Sequence, residues 1–338
     1  MIRGPRTVAC VRDGFLDDTV HTTGDTMTSN TATVSNWKID QLDDLTGKRY
    51  FITGGNSGVG FEAGTHLRRA NADVFIAARS PKKGKQAAAD LRKVNGVGTV
   101  ELIELDLASV DSIHAANAAL REHTDGLDAI INNAGIMQTP QLETADGFEL
   151  QFGTNHLGHF LVNHLMFDLV AARSGRIVPV SSIAHRSAPG INVDDPMFSK
   201  KYSSTAVYAH SKLANLIYGF ELARRLEAAG SDVKSVSVHP GYSATNLQST
   251  GPTGIFKAIY KVSNKLMAQP ASAGAIPEVL AAAGNEAQNG AYYGPTKFGD
   301  SRGPVGESKV SDAAKNVDDG TKLWELSERL LGIEWKIS

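Results

Sequence analysis

The chain has 338 residues, of which 41% are hydrophobic and 21% charged, so it has ordinary globular composition and can bury a large core. Its formal net charge of -2 gives no basic excess, and we therefore expect no nucleic-acid partner. The single cysteine, Cys10, excludes an internal disulfide and a cysteine-based zinc site, and it favours a reducing, cytoplasmic location. No uninterrupted apolar run approaches the roughly 18 residues needed to span a bilayer, so no transmembrane segment is expected.

Residues 1–44 are predicted to form an N-terminal extension, and residues 45–338 are predicted to form one folded domain. The first 36 residues are rich in Thr, Ser and Asp and show no clear period, so we expect the extension to be poorly ordered. Arg3 and Arg6 are not followed by an apolar segment, so a secretory signal is not expected. The sequence leaves open whether Met1 or Met27 is the true start.

From Lys48 onward, short apolar runs alternate with helical patterns. The predicted strands cover residues 49–53, 74–78, 100–105, 129–132, 177–181 and 233–238, and the predicted helices cover residues 58–70, 109–123, 146–172 and 205–229, with a further helix that begins at Pro81. Such alternation indicates right-handed crossovers and a parallel sheet covered on both faces, which is a doubly wound α/β, or Rossmann, fold. Ligands of such sheets bind beyond the carboxyl ends of the strands.

A glycine-rich turn joins the first predicted strand to the first predicted helix. Its glycines, Gly54, Gly58 and Gly60, have the spacing Gly-x-x-x-Gly-x-Gly, with Asn56, Ser57 and Val59 among the residues between them. A turn of this kind lets a dinucleotide pyrophosphate bind backbone N–H groups at the helix N-terminus. The alternative is a tight turn that binds no ligand.

The end of the second predicted strand bears on the choice of cofactor. An Asp or Glu at this place would bind the ribose hydroxyls of NAD, but the chain has Ala78 followed by Arg79. The planar guanidinium of arginine can bind a 2′-phosphate, and Ser80, Lys82 and Lys83 add donors. The sequence therefore favours NADP(H) over NAD(H), and the alternative is a solvated basic loop.

Tyr208 and Lys212 are four residues apart on a predicted helix and so lie on one face. An ammonium beside a phenol stabilises the phenolate, and a tyrosine of lowered pKa can act as a general acid and base near neutral pH. Lowering the phenol pKa from ~10 to near 7 takes ~4 kcal/mol. One ammonium about 5 Å away contributes roughly 3 kcal/mol at an effective dielectric constant of about 20. The alternative is a surface lysine whose stem packs on a half-buried tyrosine.

These segments and several others, taken together, resemble the short-chain dehydrogenase/reductase family over about residues 45–293. The matching segments are residues 53–60, 106–107, 132–135, 154–158, 180–182, 208–212 and 240–245. Within that family, the chain is most similar to retinol-dehydrogenase-type and WW-domain-oxidoreductase-type members.

The resemblance implies that Asn155, Ser182, Tyr208 and Lys212 form a catalytic tetrad. The expected cofactor-binding residues are Gly54, Asn56, Ser57, Gly58, Val59, Gly60, Arg79, Ser80, Asp106, Leu107, Asn133, Ala134, Gly135, Tyr208, Lys212, Pro240, Gly241 and Thr245.

The resemblance also implies an activity, the interconversion of a small-molecule alcohol and a carbonyl by hydride transfer with NADP(H). Ser182 and Tyr208 would bind the carbonyl oxygen, Tyr208 would transfer the proton, and Asn155 would bind a water that relays protons to Lys212. Relatives often form dimers or tetramers, so a homo-oligomer is a further expectation. Two alternatives stay open: a reductase of a conjugated carbon–carbon double bond, and a nucleotide-binding regulator without turnover.

Two departures from the family pattern lie near the expected site. Pro179 falls inside the fifth predicted strand, where it removes a ladder hydrogen bond. Residues 183–207 are long for the family, and we expect them to form a loop over the site that carries Asn192, Asp194, Asp195 and Tyr202.

Residues 241–269 are predicted to cover the substrate. Within them, residues 255–267 carry lysines at positions 257, 261 and 265 and an apolar stripe at helical spacing. We interpret this segment as a lid helix over an apolar pocket, and the alternative is a peripheral membrane contact.

Trp324 and its neighbours Leu326, Leu330 and Leu331 are interpreted as packing residues or an oligomer contact. The histidines at positions 156, 159 and 164 lack nearby carboxylates at ligand spacing, so no metal site is expected.

Overall fold

The computed structural model describes residues 33–242 and 269–337. Six parallel strands form the central sheet in the order β3-β2-β1-β4-β5-β6. The strands are β1 (Arg49–Thr53), β2 (Asp73–Ala78), β3 (Val100–Glu104), β4 (Ala129–Asn132), β5 (Arg176–Pro179) and β6 (Lys234–Ser235). The helices are α1 (Gly58–Arg69), α2 (Pro81–Arg92), α3 (Val110–Arg121), α4 (Leu150–Phe152), α5 (Gly158–Ala171), α6 (Ser204–Ala228), α7 (Ala271–Ala283) and α8 (Val317–Leu331).

The central sheet is buried on both faces, which is why its strands read as apolar runs. Phe51 and Ile130 pack into one cluster with α3, α5, α6 and α8, whereas Ile52 and Ile131 pack into another with α1, α2 and α7. The strand order reverses between β1 and β4, so the crevice beyond their carboxyl ends is the expected ligand site. The predicted doubly wound fold is confirmed.

The prediction of one sixth strand over residues 233–238 is wrong, because the segment forms two short strands, β6 and β7 (Ser237–Val238). The break falls at Val236, which the strand register places opposite Val178, the residue before Pro179. The Val236 N–H donates to the Ile177 carbonyl at 3.0 Å, and the ladder resumes where the Ser181 N–H donates to the Val238 carbonyl at 2.8 Å. Between these two bonds, Pro179 has no N–H to donate. β7 then pairs with β8 (Tyr292–Lys297), which pairs with β9 (Arg302–Glu307) in a second, three-stranded sheet.

The long helix predicted over residues 146–172 begins later, at Leu150, and is not uniform. The Glu149 carboxylate accepts a hydrogen bond from the Phe152 N–H at 2.6 Å, which caps α4 at that point. α4 continues through a π-helical turn (Gly153–Leu157) into α5. π-helical turns inside α-helices are frequent at functional sites, and this one contains Asn155.

Part of the predicted N-terminal extension packs on the domain, so the expectation of poor order is wrong for residues 33–44. Val34 and Trp37 are buried, and the Trp37 backbone N–H donates to the Val305 carbonyl on β9 at 2.9 Å. The Trp37 indole N–H donates to Glu286 Oε2 at 3.0 Å. The prediction for residues 1–32, with Cys10 and Met27, lies outside the described residues.

The C-terminal helix α8 is a core element, which settles the choice between packing and an oligomer contact for Trp324. This side chain is 1% exposed and meets the Phe160 ring edge to face at a centroid distance of 5.0 Å. Leu326 is also buried, and Leu330 and Leu331 pack on the same cluster. A homo-oligomer stays a prediction.

Candidate active site

The glycine-rich turn lies at the carboxyl end of β1, where α1 begins. Gly54 and Gly58 have φ angles of 67° and 61°, the left-handed region that favours glycine. A Cβ on Gly60 would overlap the side-chain amide of Asn133, which itself donates to the Thr53 carbonyl at 2.7 Å. The remaining turn residues fall in the same stretch: Asn56 and Ser57 are half-buried, and Val59 is buried in the first turn of α1. The unpaired N–H groups of that first turn fit a dinucleotide pyrophosphate.

Residues 134–136, which follow β4, lie between this turn and Asn155. The Ala134 N–H donates to Thr53 Oγ1 at 3.0 Å. On the other side, Asn155 Oδ1 accepts from the Ile136 N–H at 2.8 Å, and Asn155 Nδ2 donates to the Ile136 carbonyl at 2.9 Å. A Cβ on Gly135 would lie 3.2 Å from Asn155 Oδ1 and 3.5 Å from Lys212 Nζ. Asn155 and Lys212 therefore meet at the bare Cα of Gly135.

Tyr208 and Lys212 lie one turn apart on α6, as predicted. Tyr208 is half-buried, whereas Lys212 is 4% exposed and its Nζ donates to the Val180 carbonyl at 3.0 Å. Burial lowers the pKa of the Lys212 ammonium to about 8. Asn155 Nδ2 also donates to Ser211 Oγ at 2.9 Å, and that hydroxyl donates to the Tyr208 carbonyl at 2.8 Å. The π-helical turn is thus tied directly to the Tyr208–Lys212 turn of α6.

Ser182 stands at the start of a short 3-10 helix (Ile183–Ser187) that follows β5 and packs on α6. Its Oγ accepts from the Ala184 N–H at 3.2 Å, and the side chain is half-buried. The neighbouring Ser181 is buried, and its hydroxyl donates to the Lys212 carbonyl at 2.7 Å. The four predicted tetrad residues thus come from elements that meet beyond the carboxyl ends of β4 and β5.

The residues predicted to bind the adenosine half lie along the same edge. Arg79 follows β2, is exposed, and forms no hydrogen bond or ion pair with the residues that the structure describes. Ser80 caps α2 by accepting from the Lys83 N–H. Asp106 Oδ1 accepts from the Ala108 N–H at 3.0 Å, and Leu107 is buried against α5. Their placement fits the predicted roles, which stay predictions.

The residues predicted beside the nicotinamide follow β7. Gly241 has a φ of 66°, and its N–H donates to His239 Nδ1 at 3.1 Å. The Pro240 carbonyl accepts from Gln269 Nε2 at 2.8 Å. Thr245 and the predicted helix over residues 255–267 lie outside the described part of the chain. Of the lid predicted over residues 241–269, the structure describes only residues 241, 242 and 269.

Comparisons with known proteins agree with this geometry. The sequence profile of the family described as short chain dehydrogenase matches residues 48–254. The chain belongs to the short-chain dehydrogenases. It is 37% identical to human retinol dehydrogenase 13 over 303 residues, which cover 86% of each protein, and 35% identical to human retinol dehydrogenase 14 over 304 residues, which cover 85% of this chain and 87% of that protein. A crystal structure of an uncharacterised protein from Mycobacterium Paratuberculosis matches 89% of this chain and 100% of its own, with a TM-score of 0.73 and 36% identity. This short-chain dehydrogenase is accordingly an oxidoreductase that acts on CH–OH donors.

Residues 183–207 of the short-chain dehydrogenase contact the domain at several places, two of which lie near the tetrad. The Tyr202 hydroxyl donates to the Thr139 carbonyl at 3.0 Å, and the Asn192 N–H donates to His210 Nε2 on α6 at 3.1 Å. Asp195 accepts from the Ser199 N–H at 2.8 Å within the segment, and Asp194 is exposed. The segment therefore joins residues 139–149 to α6, beside the tetrad.

The three helix histidines of the short-chain dehydrogenase each pack or hydrogen-bond within the domain. His156 Nε2 pairs with Ser327 Oγ at 2.8 Å, and burial lowers the pKa of this imidazole to about 3. His164 meets the Trp335 ring edge to face at 5.7 Å. His159 bonds to Thr53 and to Asn155. Among the described residues, no group of three or more His, Cys, Asp or Glu side chains is arranged to bind a metal ion. Within the same ranges, no helix is long and apolar enough to cross a bilayer.

Glu278 is a buried acid that the sequence interpretation missed. It lies in α7, is 0% exposed, and neither carboxyl oxygen has a hydrogen-bond partner among the described residues. Burial raises its pKa to about 8, and the positive charge of Lys212 acts in the opposite direction. The available signal was a lone acidic residue in an otherwise apolar helix, ASAGAIPEVLAAA.

Glu278 gives stability a pH dependence of predictable sign. The unfolded chain loses this proton near pH 4.5, whereas the folded chain keeps it to about pH 8. Between these values, unfolding releases a proton, so stability falls as pH rises, by up to about 1.4 kcal/mol per pH unit. We expect Glu278→Gln to remove this slope in urea unfolding at pH 5 to 8, and exposed Glu227→Gln to retain it. An unchanged slope in Glu278→Gln would contradict the assignment.

Proposed function

We propose that this short-chain dehydrogenase interconverts an apolar alcohol and its carbonyl with NADP(H), and that Tyr208 is the general acid and base. The observation that carries the proposal is the meeting of Asn155 and Lys212 at Gly135, one helical turn from Tyr208 and on the edge that bears the glycine-rich turn. A protein that only binds a nucleotide needs no buried lysine at that place. The glycines fit a close-approaching cofactor because they leave little space for a side chain. A Cβ at Gly54 or Gly60 would crowd Asn133, and a Cβ at Gly135 would crowd Asn155.

In the reduction direction, the Ser182 and Tyr208 hydroxyls donate hydrogen bonds to the substrate carbonyl oxygen. The carbonyl carbon would accept the hydride that a reduced nicotinamide, when bound at this edge, would supply. Tyr208 transfers its hydroxyl proton to the oxygen as negative charge develops there. The Lys212 ammonium stabilises the resulting phenolate, and a water at Asn155 returns a proton through Lys212. Alcohol oxidation follows the same path in reverse.

The preference for NADP(H) rests on the end of β2. Ala78 offers no carboxylate to a ribose 2′-hydroxyl, and the Arg79 guanidinium beside it has no partner among the described residues. Ser80 and the N-terminus of α2 add donors on the same side. A 2′-phosphate would satisfy these groups, whereas an unmodified ribose would leave the guanidinium unused.

For the substrate, we propose a bulky apolar aldehyde or alcohol of the retinoid kind. The proposal rests on the similarity of most of the chain to human retinol dehydrogenases 13 and 14. The test is a panel of retinoid, steroid, aliphatic and aromatic carbonyls, read by the loss of NADPH absorbance. We expect the retinoid aldehyde to be reduced with the highest kcat/KM.

The same panel separates the alternatives. Product analysis with enones would show a reduced carbon–carbon double bond if the second activity were correct. NADPH binding, detected by nicotinamide fluorescence, without turnover of any carbonyl would favour a regulator. Either result would overturn the proposed reaction.

A further inference from the structure

His159 forms two hydrogen bonds whose directions can be assigned. Its Nδ1 lies 2.9 Å from the Asn155 carbonyl, and its Nε2 lies 2.9 Å from Thr53 Oγ1. A carbonyl only accepts, so Nδ1 carries the proton. Burial lowers the pKa of this imidazole to about 4, so the ring is neutral near pH 7 and Nε2 has a free lone pair. The Thr53 hydroxyl therefore donates to Nε2, which lies nearer than its other acceptor, the Ile131 carbonyl at 3.4 Å.

These two bonds close a ring around residues 134–136. Thr53 Oγ1 accepts from the Ala134 N–H, and Asn155 bonds to both the N–H and the carbonyl of Ile136. His159 joins Thr53 to Asn155 directly, on the buried side of the same segment. The ring thus contains the last residue before the glycine-rich turn and the tetrad asparagine, with Gly135 between them.

Imidazole suits this position because it presents a donor and an acceptor on one rigid plane. The donor reaches back one helical turn to the carbonyl of the π-helical turn, and the acceptor faces β1. A flexible side chain could form either bond, but it would not fix the separation between the two partners. The His159 imidazole therefore fixes the distance between Thr53, at the start of the glycine-rich turn, and Asn155.

We propose that His159 is a positioning residue that couples the glycine-rich turn to Asn155. It aligns the bound cofactor with Asn155 and Lys212, although it touches neither the substrate nor the reacting atoms. This proposal rests on the proposed function for its effect on turnover, whereas its effects on ring geometry and cofactor binding do not depend on that function.

The first test needs no substitution. In the folded protein with isotope-labelled histidine, nitrogen NMR should show His159 protonated at Nδ1 and unprotonated at Nε2 at pH 7. The opposite tautomer, or a charged imidazole, would overturn the hydrogen-bond directions assigned to His159. Because no turnover is measured, this result stands even if the proposed reaction fails.

The second test opens the ring from either end. Thr53→Val removes the hydroxyl with little change in shape, and Thr53→Ser retains it as the matched control. His159→Phe removes both bonds, whereas His159→Asn places an amide donor near the former Nδ1. We expect Thr53→Val and His159→Phe each to weaken NADPH binding and to lower kcat by about tenfold, and Thr53→Ser and wild type to agree within about threefold.

The double variant distinguishes positioning from simple packing. Both variants break the same Thr53–His159 hydrogen bond. If that bond carries the effect, the double variant Thr53→Val with His159→Phe should lose little more kcat and NADPH affinity than one variant alone. A purely structural role would lower the melting temperature and leave kcat and NADPH affinity of the folded protein within twofold, which would overturn the proposal. Fully multiplicative losses would also overturn it. If His159→Phe does not fold, His159→Asn replaces it, with the Asn155 bond kept and the Thr53 bond lost.

Discussion

Tyr208→Phe is expected to lower kcat/KM for NADPH-dependent carbonyl reduction by about a thousandfold, within the range for loss of a general acid. Phenylalanine keeps the ring on α6 but has no proton to give to the carbonyl oxygen. NADPH binding should change by less than about threefold, because removal of one hydroxyl leaves the glycine-rich turn intact. Stopped-flow single turnovers would separate this loss from product release.

The matched control is Tyr293→Phe, which removes a hydroxyl elsewhere in the same protein. The Tyr293 hydroxyl accepts from the Gln288 N–H at 3.2 Å, on β8 and away from the tetrad. We expect this variant to retain kcat within about twofold and to lose only the stability of one hydrogen bond, about 1 kcal/mol. Reduction by Tyr208→Phe at a rate near that of the control would exclude Tyr208 as the proton donor.

Arg79→Asp is expected to raise the KM for NADPH by about 100-fold and to leave the KM for NADH within about threefold. Two charge-assisted hydrogen bonds to the 2′-phosphate would be lost, at about 1.5 kcal/mol each, and the new carboxylate would repel the phosphate. An aspartate at the end of this strand can also accept hydrogen bonds from the free ribose hydroxyls of NADH.

Lys85→Asp is the control for Arg79→Asp, because it makes the same charge change on an exposed face of α2. It should change both KM values by less than about threefold. An equal loss of NADPH and NADH in Arg79→Asp would remove the basis for an NADP(H) preference and would point to general damage at the start of α2.

The parts of the fold that the sequence predicts well are those that local chemistry determines. The glycines at 54, 58 and 60 define a turn between strand and helix whatever lies around them, and the structure places it at the end of β1. Tyr208 and Lys212 share a helix face because helical geometry alone requires it. The strands buried on both faces were readable as apolar runs for the same reason.

The features that were missed depend on contacts between distant segments. The sequence shows that Pro179 removes a ladder hydrogen bond. Where β6 ends and β7 begins depends also on the register between β5 and residues 234–238, which the sequence does not show. The start of α4 depends on the Glu149 cap, and no pattern within residues 146–149 distinguishes that residue from its neighbours. His159 and Glu278 gain their roles only from Thr53 and Lys212, which lie more than 60 residues away in each case.

The central claim is that Lys212 makes the Tyr208 hydroxyl a usable acid and base near neutral pH. Its most direct test is the pH dependence of kcat/KM for alcohol oxidation in the wild type and in Lys212→Met, which removes the ammonium and keeps an apolar stem. The account predicts an ionisation below about pH 9 in the wild type that moves toward the ordinary phenol pKa of ~10 in the variant, together with a lower maximal rate. The same apparent pKa in both proteins would contradict it.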